Sequence, residues 1–166
     1  MSLIQVDEIR KRDNSVFPLG KIGQVIYTRF NTQTRSSSTS YTTTGFSASI
    51  TPSLSSSKIL VIANLHYEIF GGGADSDYGG NFKIVRTLSG VDTDVFVEPN
   101  DMPRIYNAYT GNSFARLSFS MTELDEPSTS SACTFTIFQK ARNTNVRISL
   151  SEDSSISTMT LMEVLA

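Results

Sequence analysis

The residue types able to do acid–base, nucleophilic or metal chemistry are sparse in this chain and set in positions that do not serve it. His66 is the sole histidine. It alternates with Asn64 and Glu68 on the polar side of a strand pattern, which marks a structural or surface imidazole more than a general base. Serines are abundant, but they occur in tracts and at strand ends, without the Gly-x-Ser-x-Gly elbow a hydrolase would need. No His-Glu-x-x-His or paired-cysteine metal motif is present. The single cysteine, Cys133, lies in the apolar run Ala132-Cys133-Thr134-Phe135-Thr136-Ile137-Phe138 and reads as an inert buried thiol. An intramolecular disulfide is impossible with one cysteine. Asp75 and Asp77 in the glycine-rich stretch, with Asp92 and Asp94, offer oxygen ligands of the kind calcium prefers, but their spacing matches no standard calcium loop. Aspartates capping their own turns account for them as well. Glu123, Asp125 and Glu126 contain a conceivable glycosidase pair. They equally mark the polar exit of a strand into Pro127. The expectation is a protein without catalytic residues, resident metal or cofactor.

Tyrosines carry the binding signal. Tyr78 follows Gly71-Gly72-Gly73-Ala74-Asp75-Ser76-Asp77 in what reads as a long flexible loop, and Tyr106 and Tyr109 lie in a second loop-like stretch beside Arg104 and Asn107. Aromatic faces flanked by amide and guanidinium donors suit a sugar or a protein surface. The same tyrosines could instead close over the ends of a hydrophobic core.

The elements that must position these residues are strands. The 166 residues suit one domain with one core. Hydrophobic residues make up 39% and charged residues only 18%, the missing surface polarity being supplied by Ser and Thr. A net charge of -2 with mixed signs gives no field that would gather nucleic acid or an anionic membrane. No apolar run suits a signal peptide or a membrane span. From Gly23 onward the period is two. Strands are predicted at 24–30, 45–51, 58–70, 82–88, 93–97, 113–124, 132–139, 146–150 and 157–165. Pro52 and Pro127 end two of them, and helix has little claim anywhere. Eight to nine short strands point to an all-β, antiparallel β-sandwich of jelly-roll type.

Within 58–70, Ile59, Val61, Ala63, Leu65, Tyr67 and Ile69 share one face, which must be the core face. Leu60 and Ile62 on the opposite face are apolar as well, an excess best covered by a neighbouring subunit. Residues 1–20 are different in character: Leu3, Ile4, Val6 and Ile9 precede the charged run Arg10-Lys11-Arg12. They form either a frayed end or an attachment arm. Four apolar side chains favour the arm. The chain is thus divided into an N-terminal arm, 1–20, and a β-sandwich domain, 21–166.

Several stretches, taken together, resemble a family of bacteriophage virion structural proteins, of the tail-fibre-like type found in marine and cyanobacterial phages. They are Gly23-Gln24-Val25-Ile26, the tract from Tyr41 through Gly45-Phe46-Ser47-Ala48-Ser49-Ile50-Thr51-Pro52, Ser55-Ser56-Ser57-Lys58-Ile59-Leu60-Val61, Leu124-Asp125-Glu126-Pro127-Ser128-Thr129-Ser130-Ser131-Ala132 and Ser157-Thr158-Met159-Thr160-Leu161-Met162-Glu163-Val164. Leu3-Ile4-Gln5-Val6-Asp7-Glu8-Ile9 is similar to a leader found at the start of some of these proteins. The resemblance implies a β-sandwich carried on a virion, commonly a homotrimer, attached to other proteins of tail or capsid and in contact with a host surface polysaccharide. A capsid decoration (cement) protein and a lectin-like carbohydrate-binding module are the alternatives.

Overall fold

The computed structural model describes residues 21–72, 76–98, 104–107 and 112–165. Eleven strands are formed among them: β1 (Lys21–Phe30), β2 (Thr34–Ser36), β3 (Thr42–Ile50), β4 (Lys58–Gly72), β5 (Ser76–Leu88), β6 (Val91–Val97), β7 (Arg104–Asn107), β8 (Asn112–Asp125), β9 (Cys133–Ala141), β10 (Val146–Leu150) and β11 (Ser157–Leu165). All nine predicted segments are strands. The two additional ones, β2 and β7, are too short to show a period of their own.

Every pairing is antiparallel. One sheet runs β1-β11-β4-β10-β2, with β8 on the other side of β4; the second runs β3-β9-β5-β6, with β7 on the start of β5. With the short strands β2, β7 and β10 set aside, the remaining eight form two four-stranded layers, β1-β11-β4-β8 and β3-β9-β5-β6. Chain-adjacent strands cross between layers everywhere except at the β5–β6 hairpin. This is the jelly-roll order. The hairpin turns on Ser89 and Gly90, both at positive φ (52° and 80°), the backbone that a two-residue turn between twisted strands requires.

The core fills the space between layers and obeys the period of two. Ile59, Val61, Ala63, Leu65, Tyr67 and Ile69 of β4 are all buried, as their shared face predicts. They meet Phe46 and Ile50 of β3, Phe82 and Ile84 of β5, and Phe135 and Ile137 of β9. Phe30 stacks on Phe46 at 4.9 Å, and Tyr67 meets Phe82 edge-on at 5.2 Å. Cys133 is a buried core residue, and burial raises the pKa of its thiol.

The glycine-rich stretch is not the long loop that its composition predicts. Gly71 and Gly72 end β4, and β5 already begins at Ser76. Glycine is needed at 71 because a Cβ there would lie 2.2 Å from the Tyr78 ring. Close approach of an aromatic side chain, rather than a turn, is what that position requires.

A second close approach is built around Glu163 of β11, a buried carboxylate with 1% of its surface exposed. It accepts hydrogen bonds from the Ser53 backbone N–H and hydroxyl, both at 2.6 Å, and from Gln24 Nε2 at 3.0 Å. Gln24 Nε2 also reaches the Thr51 carbonyl at 2.5 Å. Burial acts to raise the Glu163 pKa, but these donors outweigh it and hold the carboxyl at about 2, below its ordinary 4.5. The ties join β1 and the β3–β4 connection to β11. Because the pKa is lower in the folded chain, the stabilisation is complete above about pH 5 and is lost as pH falls toward 2. Thermal melts from pH 7 to pH 2 are expected to show a falling midpoint over that window. In Glu163→Gln, whose NH₂ opposes donors, the midpoint at pH 7 is expected to be lowered by a loss of about 2–3 kcal/mol and the acid slope to be shallower. An unchanged acid slope in that variant would remove Glu163 from the account.

Candidate functional site

The candidate surface follows from register. On the outer face of the six-stranded sheet, Val25 of β1 sits opposite Met162 of β11, Met162 opposite Leu60 of β4, and Leu60 opposite Leu124 of β8. One apolar row therefore crosses four strands, about 14 Å at the usual 4.8 Å strand spacing. The next row is Tyr27, Thr160, Ile62 and Thr122, and the one after it is polar: Arg29, Thr158, Asn64 and Ser120. Val25 is 53% exposed, Tyr27 59% and Leu124 45%; Leu60, Ile62 and Met162 are half-buried by their neighbours. The outer face of the other sheet mixes apolar and polar residues: Lys83 lies between Phe138 and the exposed Val97 in register, its Nζ 5.4 Å from the Phe138 ring centre. There Ser49 bonds Thr134 at 2.8 Å, Thr87 bonds Asp92 at 2.6 Å, and Lys83 pairs with Asp94 at 2.6 Å. Asp92 and Asp94 are thus cross-strand partners in the β5–β6 hairpin.

Beyond the polar row, the same face of β4 and β8 carries a charged groove. β10 and β11 pair with the same side of β4, one after the other, and between them residues 151–157 face only Leu65 and His66. The surplus chain bulges out as a short 3₁₀ turn, Glu152–Ser154. Ser151, Asp153 and Ser154 in this excursion hold positive φ of 54°, 50° and 61° without being glycine. Such backbone persists only where its surroundings over-determine it. The excursion is held at its base by Ser151 N–H donating to the His66 carbonyl at 2.7 Å and Ser157 Oγ accepting from His66 N–H at 3.0 Å. Above the base it is held by charge. Arg35 and Ser149 Oγ both donate to Glu152, and Arg116 joins Asp153 to Glu68, its Nε lying 3.2 Å from Glu68. Arg147 donates to the other Glu68 oxygen at 2.9 Å. The bond from Arg35, aided by Ser149 and opposed by burial, lowers the Glu152 pKa to about 2. In turn, the bonds to Glu152 and Glu68 raise the pKa values of Arg35 and Arg116.

The groove beside this network is lined by His66, Tyr67, Arg116, Leu117, Ser118, Glu152 and Ser155 and holds about 130 Å³. That is room for a few waters, below the several hundred Å³ of a small-molecule site. His66 is exposed on the strand, and its Nδ1 lies 3.0 Å from Ser118 Oγ, the residue directly opposite it on β8. This is a cross-strand polar pair. Asp125 is committed to Arg86, and Glu126 pairs with Lys58. Among the described residues no group of three His, Cys, Asp or Glu side chains could hold a metal ion.

The tyrosine-based site is redistributed. Tyr78 is a core residue of β5, 2% exposed, and not a loop residue open to a ligand; its ring fills the space over Gly71. Arg104, Tyr106 and Asn107 lie on β7, where they pair with Gly79, Asp77 and Ser76 of β5, so this stretch is a short strand and not a loop. Tyr109 lies outside the described residues, as do Asp75 and the arm residues Leu3, Ile4, Val6 and Ile9. Leu60 and Ile62 fall where their alternation predicts, and the structure adds Val25, Tyr27, Leu124 and Met162 to them. Sequence reasoning missed these four because only the register joins them.

No protein-family model matches the chain, and no curated protein does. Among solved structures it is similar to a chain of infectious bursal disease virus, Gx strain, at 9% sequence identity and a TM-score of 0.32. The likeness covers 98% of this chain and 42% of that one, so this chain spans about two-fifths of the viral chain's length.

Proposed function

We propose that the chain is a non-enzymatic structural module of a virion surface, of tail-fibre type, which assembles as a homotrimer through the outer face of its six-stranded sheet. The observation that carries the self-association is the in-register row Val25, Met162, Leu60 and Leu124, with Ile62 and Tyr27 beside it. Contiguous apolar side chains across four strands of a sheet are a surface that water disfavours and a neighbouring subunit relieves. Closed symmetry also limits runaway pairing of sheet edges. The virion setting and the count of three come from the resemblance of the segments around Gly23, Gly45, Ser55, Leu124 and Ser157 to phage structural proteins. Attachment to the particle is assigned to the arm, through Leu3, Ile4, Val6 and Ile9.

Antibody-labelled imaging of intact particles tests the setting. Label projecting from the tail is the expected result. Label repeating over the capsid lattice would replace the tail-fibre reading with a decoration protein, and particles without label would overturn the virion role.

A further inference from the structure

The margin of the apolar face along β1 is shaped by a bulge. The β1–β11 register shifts between Ile22 and Val25, so that Ile22 faces Val164 and Val25 faces Met162, two positions on one side of β11. Without the shift, Ile22 and Val25 would point to opposite faces. With it, Ile22, Val25 and Tyr27 stand together on the outer face, 53%, 53% and 59% exposed. The bulge is fixed at depth: a Cβ on Gly23 would lie 2.7 Å from Glu163 Oε2, and the Gln24 amide is bound to the same carboxylate. A buried carboxylate and a glycine thus hold three large side chains out in water, on the strand at one end of the sheet order. An edge of this kind is a ready site for added chain.

The chain outside the described structure ends at this edge. Residues 1–20 run directly into Lys21 and carry Leu3, Ile4, Val6, Ile9, Phe17 and Leu19. Their tether starts one residue from Ile22, which gives them a high effective concentration over this margin. From Lys21, the 11 residues back to Arg10 reach at most about 36–40 Å when extended, ample to return Leu3–Ile9 across β1. We propose that residues 1–20 fold back over Ile22, Val25 and Tyr27 of their own chain and cover the β1 margin, which narrows the subunit interface proposed above to Met162, Leu60, Ile62 and Leu124, with the arm at its border. An arm so placed sits at the rim of that interface, where a partner that recruits it can also act on assembly.

Hydroxyl-radical footprinting of Tyr27 tests this on the full chain, made monomeric by Leu60→Asp and Ile62→Asp so that subunit contacts cannot protect the ring. Adding Leu3→Asp, Ile4→Asp, Val6→Asp and Ile9→Asp is expected to raise Tyr27 modification several-fold, and hundred-fold dilution without them is expected to leave it unchanged. In reciprocal fashion, Tyr27→Ser with Val25→Ser is expected to speed amide exchange in residues 1–20. Equal Tyr27 modification with and without the four arm substitutions would overturn the proposal. Protection that disappears on dilution would also overturn it, by giving the arm to a neighbouring copy. Light scattering on the otherwise native chain reads the trimer separately, so either claim can fail alone.

Discussion

Gly71→Ala is expected to destabilise the fold by about 3 kcal/mol, at the upper end of ordinary overpacking costs. The added methyl would fall 2.2 Å from Cδ1 and 2.4 Å from Cε1 of Tyr78. That ring is 2% exposed within the core, so it cannot swing into solvent to make room. Tyr78→Ala alone is expected to cost about 3–5 kcal/mol through the cavity it leaves. In the Tyr78→Ala background the second change, Gly71→Ala, has nothing left to strike and is expected to add little. Urea unfolding of the four species gives the coupling directly. Additive losses would show that the Gly71 clash is not with Tyr78. The same series separates a core tyrosine from a ligand-binding one, since loss of binding in Tyr78→Ala would only report lost fold.

Asp125→Ala is the second large effect, expected at about 3–5 kcal/mol, the usual cost of leaving a buried charge without its partner. Arg86 of β5 and Asp125 of β8 belong to different sheets, and their side chains are only 14% and 9% exposed. One guanidinium nitrogen reaches both carboxylate oxygens at 2.7 Å, while Arg86 Nε is buried without a hydrogen-bond partner. Removing Asp125 therefore strands a largely buried cation that has no other ion-pair partner among the described residues. Replacing both residues, as Arg86→Met with Asp125→Leu, is expected to recover most of the loss, because neither charge then needs compensation. A single-variant cost below about 1 kcal/mol, the range of surface ion pairs, would show that water reaches the pair.

The two pairs also show where sequence is legible and where it is not. The core face of β4 was readable because one strand's alternation lies within thirteen consecutive residues, and all six predicted positions are buried. Leu60 and Ile62 were readable for the same reason: apolar residues on both faces of one strand ask for a second cover. Tyr78 was read as lying in a loop because glycine signals both turns and close approach, and sequence alone does not say which. At Gly80 the second meaning holds too, since a Cβ would lie 2.6 Å from the Lys140 carbonyl oxygen. The apolar row was legible only at Leu60. Val25, Leu124 and Met162 join it through pairings between strands far apart in the chain. Glu163 bonds residues 110 and 139 positions away. Arg35 and Glu152 are 117 apart. Long-range polar pairing has no local period, so nothing in the spacing announces it.

The central claim, that the outer face of the six-stranded sheet is where the chain meets copies of itself, is tested most directly by light scattering of the full chain beside its Leu60→Asp, Ile62→Asp variant. Both positions are half-buried and face away from the core, so the aspartates can be solvated without entering it. The account predicts three times the chain mass for the native protein at micromolar concentration and a folded species of one chain mass for the variant. A native protein of one chain mass, or a variant that remains trimeric, would contradict it.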